Sequence, residues 1–144
     1  MAIRVSQSIS NGMLDVIEAY INSTTLGVPE LVIYSGDIPP SLATTPAGGT
    51  LVIIILPVDW LEGADGGHIA KKGTWSAMAA ATGEATFYRI KATSGGGVVY
   101  CIEGTVGATD SGADMTLSQD TTIITQNQTV TVSTFKLSLF NESS

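Results

Sequence analysis

At 144 residues the chain suits one domain with a real core, since a domain of this size buries about two thirds of its unfolded surface. Its 44% hydrophobic content argues against disorder, and its net charge of −7, from 13 acids and 6 bases, argues against nucleic acid as a direct partner. No apolar run reaches the roughly eighteen residues of a membrane helix, MAIRVSQSIS lacks a signal peptide's apolar core, and a lone cysteine excludes an intrachain disulfide.

Residues 2–22 hold the one helical periodicity. Ile9, Met13, Ile17 and Ile21 recur every four residues, and Asp15, Glu18 and Asn22 lie off that stripe. The reading places a helix over 11–22, capped by Ser10 or Asn11, with Asp15 in its first turn and Gly27 near its end. Residues 1–10 read as an arm. The helix covers an open face of a β domain, or it reaches a neighbouring subunit.

The β part runs from 31 to 140. Leu31–Ser35 is a short strand, stopped by Gly36-Asp37-Ile38-Pro39-Pro40. Thr50–Leu56 is apolar on both parities, which predicts cover on both faces. Residues 57–74 read as a loop, followed by Trp75–Ala81. Glu84–Ala92 places Ala85, Phe87, Arg89 and Lys91 on one face and Thr86, Tyr88 and Ile90 on the other. Thr93–Gly97 is a glycine-rich hairpin loop, and Val98–Val106 returns from it. Met115–Leu117 and Thr121–Thr125 are short β pieces. The last strand alternates at Val130 and Val132, then changes parity to Phe135, Leu137 and Leu139. That parity change predicts a bulge near Ser133–Thr134. The fold class is therefore mainly β: one antiparallel β-sandwich domain, residues 1–144, with one N-terminal α-helix.

Chemistry is sparse. His68 is the only histidine and sits in a loop without a motif, and Cys101 reads as a small strand residue. Asp110 and Asp114 fit turn chemistry without a metal. Trp60, Trp75, Tyr88 and Tyr100 fit core or interface packing, with a sugar-stacking platform as the alternative. No catalytic, cofactor-binding or metal residue is assigned. The expected interface set is Ile53, Ile54, Val130, Val132, Phe135 and Leu137, because the Leu51–Leu56 strand has a second apolar face and the last strand would offer an edge to a second copy.

Several pieces in order carry a family likeness. They are Met13-Leu14-Asp15, Leu31–Gly36 with Pro39, Gly49-Thr50-Leu51 leading to Pro57, Trp75, Ala81–Ile90, Gly104–Gly107, Gly112–Met115, and Gln128–Val132 before Phe135. Together they resemble a family of small virion proteins from tailed phages and prophages, similar to the capsid cement, or decoration, proteins of short-tailed phages. The resemblance implies a jelly-roll-like sandwich on the capsid exterior, made in the host bacterial cytoplasm and without enzymatic activity. It implies the major capsid protein and a second copy as partners. A head–tail connector or tail component, and a virion-surface carbohydrate-binding module, are the alternatives.

Overall fold

The computed structural model describes residues 5–24, 29–94 and 97–138. Helix α1 spans Gln7–Thr24. Ser6 caps it: its Oγ accepts the Ile9 N–H at 3.3 Å, and its carbonyl accepts the Ser10 N–H at 3.0 Å. The helix thus starts well before Gly12, Ser10 and Asn11 are not caps, and Asp15 is mid-helix. Residues 7–10 are helix and not arm. Residues 1–4 and Gly27 lie outside the described residues.

The Ile9–Met13–Ile17–Ile21 row does not all face the core. Leu14 and Ile21 are buried and Ile17 is half-buried, but Ile9 and Met13 are exposed. Helix geometry explains this. Each i→i+4 step advances about 40°, so a row of four drifts by roughly 120°. The face that meets the core is Ser10, Leu14, Ile17 and Ile21, whose 4-3-4 spacing stays on one line.

The strands are β1 (Glu30–Tyr34), β2 (Thr50–Ile55), β3 (His68–Ala70), β4 (Ser76–Met78), β5 (Gly83–Glu84), β6 (Phe87–Ser94), β7 (Gly97–Gly107), β8 (Met115–Leu117), β9 (Ile123–Ile124) and β10 (Thr129–Ser138). The architecture is mainly β with one N-terminal helix. The main sheet has the order β2-β1-β6-β7-β8-β10-β3, β4 also pairs with β10, and β5 and β9 form a separate ribbon. Pairing is antiparallel except at β7 and β8, which run parallel through Val106↔Met115 and Gly107↔Thr116. Asp114 secures that junction, its Oδ2 accepting the Thr105 N–H at 2.9 Å and the Thr105 hydroxyl at 3.0 Å. The sheet curls into a half-barrel. Its ends approach where the Ala80 N–H donates to the Leu51 carbonyl at 2.8 Å.

β10 organises the far half of the sheet. One edge pairs with β4 at Thr129–Thr131 and with β3 at Lys136–Ser138. The other edge pairs with β8 at Val132–Phe135, and the register shifts between Val132 and Thr134. The parity change in the sequence is this bulge. Ser133 is its extra residue, and its hydroxyl lies 2.8 Å from that of Thr116. The interior of the curl holds Trp60, Trp75, Phe135 and Tyr88, with ring centroids of neighbouring pairs 5.1–6.1 Å apart. Both indoles are satisfied: Trp60 Nε1 donates to Asn22 Oδ1 at 3.2 Å and Trp75 Nε1 to the Lys72 carbonyl at 3.1 Å.

Two sequence expectations differ in detail. The 57–74 loop contains β3, whose three residues carry too little pattern to stand out. The expected strand 84–92 is two strands, because the chain leaves the β5–β9 ribbon at Ala85 and joins the main sheet at Phe87. In the hairpin between β6 and β7, Gly95 and Gly96 lie outside the described residues, as do Leu139 and Phe140 after β10.

Candidate functional site

The expected interface residues separate by parity and by strand position. Val52 and Ile54 of β2 and the following Leu56 are buried in the core, and Ile54 has 0% exposure. Ile53 and Ile55 point outward and are 43% and 67% exposed, with exposed Val58 beyond them. β2 is a terminal strand of the sheet, paired with β1 alone among the described strands. Ile53 is therefore a surface residue and Ile54 is not.

The rest of the expected set is corrected. Val130, Val132 and Phe135 are buried in the core, and Leu137 is half-buried. β10 is not an edge strand, because β8 pairs with Val132–Phe135 on one side and β4 and β3 pair with Thr129–Thr131 and Lys136–Ser138 on the other. Its alternating apolar residues line the interior of the curl.

The outer face of the sheet is partly covered by the chain itself. Val32, Tyr34 and Phe87 form a small second core, with the Tyr34 and Phe87 rings stacked at 5.0 Å. Burial, together with the neighbouring Tyr100, pushes the Tyr34 phenol up to about 12. Arg89 is fully buried beside them. Its Nε donates to Glu103 Oε2 at 2.7 Å, its other nitrogens donate to the carbonyls of Ser41, Leu42 and Thr44, and its guanidinium lies 4.5 Å from the Tyr100 ring centroid. Residues 36–49 thereby form a loop whose ends meet at Gly36 and Gly48 and whose middle is held by one side chain. Val32 is buried on this face, whereas Ile53 and Ile55 are left open.

On the opposite face of the sheet, α1 presents three parallel lines with 4-3-4 spacing. Ser10, Leu14, Ile17 and Ile21 meet the core. Asn11, Asp15, Glu18 and Asn22 hold the 58–67 segment through its backbone. Asn11 accepts the Gly67 N–H at 2.9 Å, Asp15 the Ala64 N–H at 2.7 Å and Glu18 the Leu61 N–H at 2.7 Å, while Asn22 donates to the Val58 carbonyl at 2.8 Å. The third line is Ile9, Met13, Val16 and Tyr20, each more than half exposed. The sequence reading does not single out this line, because it groups Ile9 and Met13 with Ile17 and Ile21 as one apolar stripe. The signal was present: the apolar residues of α1 span a wider arc than the roughly 100° one core face needs. A groove of about 480 Å³ runs beside it, between Val16, Ile17, Tyr20 and Ile21 of α1 and Val99, Cys101 and Ile102 of β7.

A second cleft, about 590 Å³, lies on the polar side of α1 and includes Asp15, Glu18, Asp59 and Glu62. Three of these four acids are engaged: Asp15 and Glu18 by loop amides, Asp59 by Lys72. Partial burial raises the Glu18 carboxyl, opposed by the Leu61 amide and assisted by nearby Asp59. No group of three or more His, Cys, Asp or Glu among the described residues has the arrangement of a metal site.

His68 is exposed on β3, its Nδ1 3.0 Å from Ser138 Oγ. Cys101 is the extra residue of a bulge in β7, half-buried, its Sγ 3.6 Å from the Val99 carbonyl, and burial raises its thiol. Asp110 adopts φ 61° in the turn before β8, as expected of turn chemistry. Trp60, Trp75 and Tyr88 are buried, so these rings present no sugar-stacking platform. The local chemistry is that of surfaces: two exposed apolar faces on opposite sides of one sheet. Comparison with known proteins returns no matching family model, no matching curated relative and no matching solved structure.

Proposed function

We propose that this chain is a bacteriophage capsid decoration protein, without enzymatic activity, that binds the head exterior and bridges neighbouring major capsid proteins. The observation that carries the reading is the outward face of β2. Ile53 and Ile55 stand exposed on a terminal strand, and their charged neighbours Glu30 and Lys91 neutralise each other at 3.4 Å. Such an apolar strand left open on a monomer invites association. The motifs that resemble phage virion proteins supply the partner class. Binding only the assembled shell stabilises it by mass action, and repetition over the lattice adds avidity.

Purified particles test the reading. A copy number comparable to that of the major capsid protein, lost when Ile53→Asp is introduced into a chain that still folds, is the expected result. A single ring's worth of copies assigns the chain to a head–tail connector or tail. Absence from particles removes the reading altogether.

A further inference from the structure

We infer that the free edge of β7, from Val98 to Glu103, takes up an extended peptide segment of another protein as an added strand. The site is not the β2 face, and the inference stands without the capsid reading. Over these residues β7 pairs with β6 on one side, and on the other it has no strand among the described residues. β8 joins that side only at Val106 and Gly107. Ladder bonds alternate along a strand, so the direction of the open groups follows from one known bond. The Val106 N–H donates to the Thr86 carbonyl at 3.1 Å, on the β6 side. Glu103 and Thr105 therefore turn their N–H and C=O the other way. The Thr105 N–H meets Asp114 Oδ2 there, at 2.9 Å. The main-chain groups of Glu103 meet no partner there among the described residues. Open main-chain groups along an edge call for an extended backbone, which supplies donors and acceptors at the matching spacing.

A cavity flanks this edge on each face of the sheet. On the outer face about 440 Å³ lies between Val98 and Tyr100 and the 42–45 part of the loop. On the inner face is the groove of about 480 Å³ that Val99 and Ile102 share with Val16 and Tyr20 of α1. Successive side chains of an added strand point to opposite faces, so they enter the two cavities in turn. The inner cavity is apolar and suits Val, Ile or Leu. The outer one is bordered by Thr45 and suits Thr or Ser. Charge favours an unlike segment over a second copy. The Thr105 end of the edge is acidic: Asp114 has no cation beside it among the described residues, and Asp110 stands exposed in the turn that leads to it. The occupant therefore carries Lys or Arg at that end. β7 has no Lys or Arg, and its one charged residue is Glu103, so a second β7 laid along the first supplies no counter-charge. Each further copy also brings a net charge of −7.

Fluorescence anisotropy with a capped, labelled peptide of alternating valine and threonine, with lysine at each end, tests this on the purified full chain. Circular dichroism is the control for folding. The peptide is expected to bind and to slow hydrogen exchange at the Glu103 amide by about tenfold or more. Methylating the backbone nitrogens of one alternate set of its residues abolishes binding, and methylating the other set does not, because only one set faces β7. Glutamate in place of the lysines weakens binding by about tenfold or more, and so does Val99→Asp in a chain that still folds. Should Val99→Asp fail to fold, Val99→Ala only shortens an exposed side chain, and weaker binding is again the expected result. No binding, equal binding by the two methylated peptides or by the lysine and glutamate peptides, or a Val99 variant that binds as the wild type does overturns the inference. A Glu103 amide that exchanges slowly without peptide, and more slowly as the chain is concentrated, also overturns it and assigns the edge to a second copy.

Discussion

Ile53 and Ile54 are neighbours in β2 and face opposite ways, at 43% and 0% exposure. Ile53 pairs with Val32 on the outer face, and Ile54 pairs with Leu31 on the inner. Strand geometry alone separates them, since successive side chains point to opposite sides.

The two substitutions to Asp should therefore part company. Ile54→Asp removes a side chain whose burial is worth about 1.5–3 kcal/mol and places a carboxylate in the core at a further cost of several kcal/mol. Against a total stability of about 5–15 kcal/mol, that is enough to unfold most of the population. Ile53→Asp should shift the thermal midpoint little. Circular dichroism melts of the two variants check this, and equal loss in both would mean that Ile53 is covered in solution.

Arg89 is the fully buried charge that holds the 36–49 loop to the sheet. Arg89→Met keeps the stem but strands Glu103 and three loop carbonyls. A stability loss of about 2–4 kcal/mol is expected, at the lower end of the cost of breaking buried pairs because Glu103 is partly exposed. The loop should then be cut between Ser41 and Thr45 by a protease that leaves the wild type intact. Denaturant midpoints and limited proteolysis read the two effects separately, and a stable, uncut variant would show that the loop packs without its clip.

The sheet was largely legible, and the surfaces were not. Period-2 alternation gave the inward set of β10 and even its bulge at Ser133, because a parity change has no other simple cause. Alternation cannot say whether a strand is interior or terminal, so it places Val130, Val132 and Phe135 at an interface, whereas three other strands flank β10. In α1 the period is legible and the phase of the core face is not. A row of i+4 steps crosses faces, whereas a 4-3-4 line does not. The polar line Asn11, Asp15, Glu18 and Asn22 had a readable spacing too. Apart from the Trp60 indole on Asn22, its partners are backbone groups of residues 58–67, and a backbone leaves no mark in a sequence.

Glu18 gives that polar line a pH dependence. Burial raises its folded carboxyl above the ordinary 4.5. A raised acid binds more protons folded than unfolded, so its contribution is fully favourable below pH 4.5 and is lost as pH rises through the raised value. Glu18→Gln keeps an acceptor for the Leu61 N–H and removes the titration. Its stability relative to wild type should therefore be higher at pH 7 than at pH 4. The effect is small, because much of the carboxyl meets solvent. Urea midpoints of both proteins at the two pH values check the sign, and a difference that runs the other way rejects the burial argument.

Gly12 and Gly48 make the last contrast, one substitution with opposite results. Gly12 is inside α1, with nothing within 4 Å of an added Cβ. Alanine there restricts the unfolded chain and suits the helix, so Gly12→Ala should stabilise by about 0.5–1 kcal/mol, measured at dilutions where the chain is monomeric. Gly48 closes the 36–49 loop. An added Cβ would stand 1.8 Å from the Ser35 carbonyl oxygen and 2.8 Å from its carbon, both backbone atoms that cannot rotate away. The Gly49 carbonyl, which accepts the Ser35 N–H at 3.0 Å, would have to retreat as the chain shifts. Gly48→Ala should thus cost at least about 1–3 kcal/mol and loosen the loop over Arg89. Thermal melts give the two signs, and hydrogen exchange at Ser35 and Thr44 locates the second. Protection unchanged at both amides in a destabilised Gly48→Ala would place the strain somewhere other than this closure.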